Sequence, residues 1–116
     1  MSKLIKKFGH AFRGLFLAIR KDKGVQQVLL FGSLGLLALH YFFGPFSFLA
    51  NLVQLFCVSL VLITELQNSA LETALDKVHP DRHDDIKRSK DIAAAAVLCA
   101  VVFSLVCAAS IALGKI

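Results

Sequence analysis

"GVQQVLLFGSLGLLALHYFFGPFSFLANLVQLFCVSLVLIT" (residues 24–64) is an unbroken run without an Asp, Glu, Lys or Arg. A bilayer core of about 30 Å requires roughly 20 helical residues, so this run is long enough for two crossings. Gly44-Pro45 supplies a turn near its middle, among aromatic residues that suit a bilayer interface. A second uncharged run, residues 92–114, is long enough for a third crossing. The sequence therefore predicts three membrane helices at residues 25–43, 48–76 and 85–114, of which the second and third extend into the cytosol.

The composition places the chain among membrane proteins. Of its 116 residues 57% are hydrophobic and the mean hydropathy is +0.71, which is too apolar for an ordinary soluble domain of this size. No sustained alternation of apolar and polar residues suggests a membrane barrel. We therefore expect one all-α membrane domain over residues 1–116.

The basic residues predict the orientation of the chain. Seven Lys or Arg precede the first crossing, none lies in the Gly44-Pro45 turn, and five lie between residues 77 and 90. The positive-inside rule then gives a cytoplasmic N-terminus and a C-terminus outside. This topology and contact with anionic headgroups explain the net charge of +5, and no motif for reading DNA or RNA is present, so no nucleic-acid partner is expected.

The N-terminal segment, residues 3–22, is amphipathic. On a helical wheel its apolar side chains share one face and its basic side chains the other, the latter being Lys3, Lys6, His10, Arg13 and Arg20. This pattern predicts a helix that lies in the plane of the membrane surface.

Polar residues return in the second membrane helix on one narrow face, formed by Glu65, Asn68, Ser69, Glu72 and Asp76. A helix that has simply left the bilayer would explain Asp76, and could explain Glu72, as solvated charges. Glu65 directly follows the long uncharged run, where an ionised side chain is costly without a partner or a function. We expect Glu72 to ligate a hard divalent cation, Glu65 to act as a general base, and Asn68 to orient either partner.

The charged segment after Pro80 offers cations. Lys87, Arg88 and Lys90 can neutralise a polyphosphate, although positive-inside topology is sufficient to explain most of them. Lys90, at the entrance of the third membrane helix, is the exception that we single out. Asp81 or Asp84 is expected to cap that helix.

Other patterns carry less chemistry. A stripe of small residues along the third membrane helix, formed by Ala96, Ala100, Ser104 and Ala108, predicts close helix packing within the bundle or between subunits. The glycines at positions 9 and 14 have the spacing of a phosphate loop, but the Lys-Ser/Thr that must follow is absent. Pro80 separates His79 from His83, so a zinc site is not expected.

The segments "ELQNSALETALDKV" (65–78) and "RHDDIKRSKDIAAAAVL" (82–98) resemble the small integral-membrane diacylglycerol kinases of bacteria. The hallmark of that family is Glu-x-x-Asn-Ser/Thr-Ala-x-Glu-x-x-x-Asp, followed by Lys-Asp-x-x-x-Ala-Ala-Val. The matching positions are Glu65, Asn68, Ser69, Ala70, Glu72, Asp76, Lys90, Asp91, Ala95, Ala96 and Val97.

The resemblance implies a homotrimer of three-span subunits in the bacterial cytoplasmic (inner) membrane, with composite active sites at the cytoplasmic interface. It also implies transfer of the γ-phosphoryl group of Mg-ATP to the hydroxyl of diacylglycerol, which gives phosphatidic acid. By the same resemblance Glu65 is the catalytic base, and Glu72 and Asp22 are metal ligands.

The ATP-binding positions implied by the resemblance are Lys3, His10, Asp22, Glu72, Asp81, Arg82, His83, Lys90 and Asp91. Supporting or substrate-contacting positions are Asn68, Gly14 and Ala94. The chain departs from the family where Asp22 stands at a Glu position, one methylene shorter, and where Gln26 stands at an Arg position.

Two alternatives remain open at this point. Related small kinases phosphorylate undecaprenol, and the motif alone does not distinguish that alcohol from diacylglycerol. A non-enzymatic, holin-like pore former is also short, basic and multi-span, although such a protein has no evident need for Glu65 and Glu72 in register.

Overall fold

The computed structural model describes residues 2–81 and 83–116, and the regular structure in these ranges is entirely helical. The helices are α1 (Lys3–Lys21), α2 (Lys23–Phe43), α3 (Phe48–Val78) and α4 (Asp84–Ala112). The last three are each long and apolar enough to cross a membrane. The prediction of an all-α protein with three membrane helices and an N-terminal amphipathic helix is confirmed.

The helix lengths show which helices extend beyond the bilayer. At 1.5 Å per residue the 21 residues of α2 span about 32 Å, close to the thickness of the hydrocarbon core. The 31 residues of α3 and the 29 of α4 span about 45 Å each, so both helices continue outside the hydrocarbon. α3 reaches Val78, just before Pro80, and α4 ends at Ala112, just before Gly114, which has a left-handed φ of +73°.

Each helix begins at a residue whose side chain accepts a backbone N–H bond. Ser2, Asp22 and Ser47 cap α1, α2 and α3, as their residue types favour. The prediction that Asp81 or Asp84 caps α4 is wrong, because His83 Nδ1 accepts the Asp85 N–H at 3.1 Å. Asp84 and Asp85 instead lie in the first turn, where the helix dipole favours negative charge.

The most extensive helix pair is α3 with α4. Ala100 is buried at this interface, and the Ser104 hydroxyl lies 3.5 Å from the Cys57 carbonyl oxygen, which shows how closely the two backbones approach. Phe56 and Phe103 add an edge-to-face contact with ring centroids 6.2 Å apart. Ala96 is exposed, so the predicted small-residue stripe packs within the chain only over its later positions.

α1 meets α2 at a corner of a single residue, Asp22. α1 buries none of its residues, and its apolar face, which includes Leu4, Phe8 and Phe12, is exposed. An unburied apolar face opposite a basic one suits a helix lying on the membrane surface. Immediately after the corner, Val25 is completely buried and anchors the start of α2.

Candidate active site

Glu65 is buried against the beginning of α2. Its side chain lies beside Gly24, where a Cβ atom would overlap Glu65 Oε1 and come within 3.1 Å of Glu65 Cδ. Only the absence of a side chain at position 24 allows the α2 backbone to approach this carboxylate in its present position. The carboxylate is thus held between two helices instead of pointing into solvent.

Two polar neighbours on α3 accompany Glu65. The Ser69 hydroxyl donates a hydrogen bond to Glu65 Oε1 at 3.3 Å. Asn68 and Ser69 are each 8% exposed, and Asn68 Oδ1 is buried without a hydrogen-bond partner among the described residues. The predicted polar face of α3 is therefore buried where it begins, from Glu65 to Ser69.

Asp22 approaches the same place from the corner between α1 and α2. Its Oδ1 accepts the Val25 N–H at 2.9 Å and lies 3.2 Å from the point at which a Gly24 Cβ would stand. The Asp22 and Glu65 carboxylates therefore both lie close to the same point beside Gly24. We call Asp22, Gly24, Glu65, Asn68 and Ser69 the Glu65 cluster.

The later acidic residues of the polar face are exposed. Glu72 lies two turns, or about 10 Å, further along α3 than Glu65 and has no hydrogen-bond or ion-pair partner in the described part of the chain. Asp76 forms an ion pair with Lys90, which links α3 to α4. Asp91, next to Lys90, pairs with Lys87 at 2.7 Å along α4.

A small cavity of about 260 Å³ lies where α3 passes into α4. Its lining residues, which we call the loop pocket, are Asp76, His79, Pro80, Asp81, His83, Ile86, Lys87 and Lys90. The His79 and His83 rings meet edge to face with centroids 5.3 Å apart, and His79 Nδ1 donates to the Asp81 carbonyl oxygen at 3.0 Å. The structure thus brings Asp81, His83 and Lys90 together; Arg82 lies outside the described residues.

The remaining predicted site residues are not joined to these groups. Lys3, His10 and Gly14 are exposed on α1, and Ala94 is exposed on α4. Within residues 2–81 and 83–116, no side-chain hydrogen bond or ion pair connects Lys3 or His10 to the Glu65 cluster or the loop pocket. In that same part of the chain, no three His, Cys, Asp or Glu side chains converge as a ready-made metal site.

A long apolar groove of about 740 Å³ lies between α2, α3 and α4. Gly24 and Glu65 line one end of the groove and Phe42 and Phe43 the other. Several lining side chains, such as Phe31, are exposed along the side of the groove. A carboxylate at the end of an apolar groove can accept a proton from a hydroxyl whose hydrocarbon tail lies in that groove.

Sequence patterns did not identify two features of this region. Gly24 becomes important only because α3 returns beside the start of α2, and that proximity has no local signal. Gln54 lines the groove with a buried Oε1 that has no partner among the described residues. An amide inside an otherwise apolar run of α3 was the available signal for Gln54.

Comparison with known proteins agrees with this architecture. The family model for prokaryotic diacylglycerol kinase matches residues 9–112. Similar proteins include the diacylglycerol kinase of Pseudomonas aeruginosa, which is 28% identical over 120 residues covering 98% of this chain and 91% of the relative. The diacylglycerol kinase of Escherichia coli strain K12 is 26% identical over 105 residues, or 90% and 84% of the two chains. The Haemophilus influenzae diacylglycerol kinase is 28% identical over 101 residues, or 87% and 84%. From the length of the family match, this chain belongs to the prokaryotic diacylglycerol kinase family.

Proposed function

We propose that this protein is an ATP-dependent diacylglycerol kinase, which transfers the γ-phosphoryl group of ATP to the free hydroxyl of diacylglycerol and releases phosphatidic acid. The observation that carries the proposal is Glu65, a buried carboxylate at the end of an apolar groove that runs the length of α2. Such a groove suits an acyl chain, and its end places a lipid hydroxyl beside a proton acceptor.

Family membership supports a lipid kinase and does not favour the alternatives. A holin-like pore former gives no reason for the buried Glu65 cluster. Undecaprenol kinase shares the phosphoryl-transfer chemistry, but the matched family and the relatives carry the name diacylglycerol kinase.

In the proposed reaction Glu65 removes the proton from the lipid hydroxyl as the oxygen attacks the γ-phosphorus of ATP, and ADP leaves. Ser69 holds the carboxylate through its hydroxyl, and Asn68 Oδ1, buried without a partner among the described residues, is available as an acceptor. Phosphoryl transfer depends mainly on positioning and charge neutralisation, so a few side chains suffice without a conventional nucleotide fold.

The loop pocket supplies the groups for the nucleotide. Lys90, His83 and Asp81 line one cavity, and binding of a polyphosphate would draw Lys90 away from Asp76. The exposed carboxylate of Glu72, which has no partner among the described residues, lies between the loop pocket and Glu65 along α3. Such a carboxylate is a suitable ligand for Mg²⁺. Asp22, the second ligand implied by the resemblance, already accepts the Val25 N–H through Oδ1. A bound Mg²⁺ would neutralise phosphate charge.

The resemblance and the exposed α1 residues together support an assembled site. We infer that the protein is a homotrimer, in which Lys3, His10 and Gly14 of α1 and Ala94 of α4 meet groups that they do not contact within one chain. Arg82 and Asp91 complete the proposed set around ATP. The three apolar helices and the family point to a multi-pass protein of the bacterial inner membrane, for which we propose a cytoplasmic N-terminus and an outer C-terminus.

The test uses purified protein in mixed micelles with Mg-ATP and either diacylglycerol or undecaprenol. Wild-type protein and Gln67→Ala, a control at an exposed position of α3 near Glu65, should phosphorylate diacylglycerol at similar rates. Glu65→Gln should lower kcat by at least about 100-fold, because a general base contributes about that much or more. Glu72→Gln should raise the Mg²⁺ concentration needed for half-maximal rate.

Each outcome decides a part of the proposal. Full turnover by Glu65→Gln would remove the base assignment. Phosphorylation of undecaprenol alone would replace the substrate, and no turnover of either lipid by the wild type would refute the kinase function.

A further inference from the structure

The corner between α1 and α2 is held by bonds from two side chains. Asp22 separates the helices with extended backbone angles (φ −93°, ψ 117°) and caps both of them. Its N–H donates to the Ala18 carbonyl oxygen of α1 at 2.9 Å, and its Oδ1 accepts the Val25 N–H of α2 at 2.9 Å. One residue therefore ends one helix and begins the next.

Gln26 supplies the second set of bonds across the corner. Its Nε2 donates to the carbonyl oxygens of Ile19 at 3.1 Å and Arg20 at 2.9 Å. These belong to the last four carbonyls of α1, which have no partner within their own helix. Both hydrogens of one amide group thus satisfy α1 while the residue itself lies in the first turn of α2.

The residue types at the corner suit capping. Asp is among the best N-cap residues because its short side chain reaches the N–H groups of the first turn, whereas a Glu side chain is one methylene too long for the same geometry. The family resemblance places a Glu at position 22 and an Arg at position 26, and this chain has changed both. The pair of changes fits a corner in which position 22 serves as a cap.

This corner also determines what surrounds Glu65. Gly24 lies between Asp22 and Val25, and its backbone lies against the Glu65 carboxylate, so a rotation of α2 at its first turn would move that backbone away. Resting on the proposed function, we propose that Asp22 and Gln26 are positioning residues: their capping bonds fix the α1–α2 corner and so hold the Glu65 base in place, and for Asp22 this role outweighs metal ligation.

Two substitutions at position 22 separate a cap from a ligand. Asp22→Asn keeps the capping oxygen and loses the charge, whereas Asp22→Glu keeps the charge and loses the cap. A cap role predicts that Asp22→Asn leaves the half-saturating Mg²⁺ concentration unchanged, and that Asp22→Glu lowers kcat about fivefold with unchanged KM for ATP. A ligand role predicts a higher half-saturating Mg²⁺ concentration in Asp22→Asn and wild-type kcat in Asp22→Glu.

Position 26 provides an independent comparison. Gln26→Leu removes both donors and should lower kcat about as much as Asp22→Glu. Gln26→Arg keeps donors that can reach the last carbonyls of α1, and its kcat should stay close to that of the wild type. Gln67→Ala, an exposed glutamine of α3, is the matched control.

Amide hydrogen exchange over residues 18–26 reads the corner without an activity assay. Faster exchange is expected in Asp22→Glu and Gln26→Leu, and wild-type exchange in Asp22→Asn and Gln26→Arg. A higher half-saturating Mg²⁺ concentration in Asp22→Asn, or wild-type kcat in Asp22→Glu, would overturn the proposal. Absence of kinase activity in both the wild type and Gln67→Ala would instead count against the proposed function. The hydrogen-exchange data would still test the capping bonds in that case.

Discussion

Two buried amide oxygens on α3 provide a paired test of which residues serve the fold and which serve the chemistry. Gln54 is 6% and Asn68 8% exposed, and Gln54 Oε1 and Asn68 Oδ1 are both buried without a hydrogen-bond partner among the described residues. Only Asn68 belongs to the Glu65 cluster. Replacing each by leucine, which is of similar size, should therefore separate stability from activity.

The expected magnitudes follow from the bonds at each site. A buried polar group without a partner costs about 1–3 kcal/mol, which its replacement by an apolar side chain recovers. Gln54 also donates from Nε2 to the Ala50 carbonyl oxygen at 3.2 Å, so its replacement gives up about 0.5–1.5 kcal/mol. We expect the free energy of unfolding to rise by about 1 kcal/mol for Gln54→Leu and by about 1–3 kcal/mol for Asn68→Leu.

The kinase activity should distinguish the two variants. Gln54→Leu should keep wild-type kcat, whereas Asn68→Leu should lose most of it because the acceptor beside Glu65 is gone. Stability is measured by reversible unfolding with a denaturing detergent in mixed micelles, followed by circular dichroism, and activity with Mg-ATP and diacylglycerol. A lower stability in either variant would show that its oxygen is paired in the assembled protein, and an active Asn68→Leu would remove Asn68 from the site.

Three further predictions concern packing, charge and topology. Ala100→Leu should lower the free energy of unfolding by about 1–3 kcal/mol, because Ala100 is only 4% exposed between α3 and α4. Ala109 is exposed, so Ala109→Leu should change that free energy little, and equal effects of the two substitutions would refute this packing. Lys90→Met should raise the KM for ATP. Asp76→Asn breaks the same partly exposed ion pair and should change the free energy of unfolding by less than about 1 kcal/mol without weakening ATP binding. If both variants lose ATP binding to the same extent, Lys90 has a structural role only. Topology can be tested by thiol labelling of single-cysteine variants made in a chain without the native cysteines. In intact cells a membrane-impermeant thiol reagent should label Lys115→Cys and should label Lys7→Cys only after permeabilisation. The opposite labelling pattern would show the opposite orientation.

The membrane helices could be predicted from the sequence because their signal is the length of an uncharged run. The run over residues 24–64, with the Gly44-Pro45 turn near its middle, permits few arrangements, and Pro80 interrupts the chain just after the second membrane helix. The polar face of α3 could be predicted in the same way, since spacing along one helix fixes which side chains share a face.

Contacts between helices could not be predicted in this way. Nothing in the sequence near Gly24 indicates that Glu65 lies against it, because the two are far apart along the chain and meet only after α2 and α3 have paired. The cap of α4 does not follow from residue type alone, because His83 competes with Asp81 and Asp84 as an acceptor and local geometry decides among them. The family resemblance implies that Asp22 is a metal ligand, whereas the structure shows its Oδ1 as the cap of α2.

The groove beside α2 is open along its side, with Phe31 and Leu105 exposed at its edge. If a lipid enters there, it moves sideways within its own leaflet and never passes through water. The quantity that governs the rate is then the number of diacylglycerol molecules per unit area of membrane. Adding inert lipid at a fixed amount of substrate would slow the enzyme, and changing the volume of buffer would not. An enzyme built in this way responds to the density of its substrate in the plane of the membrane.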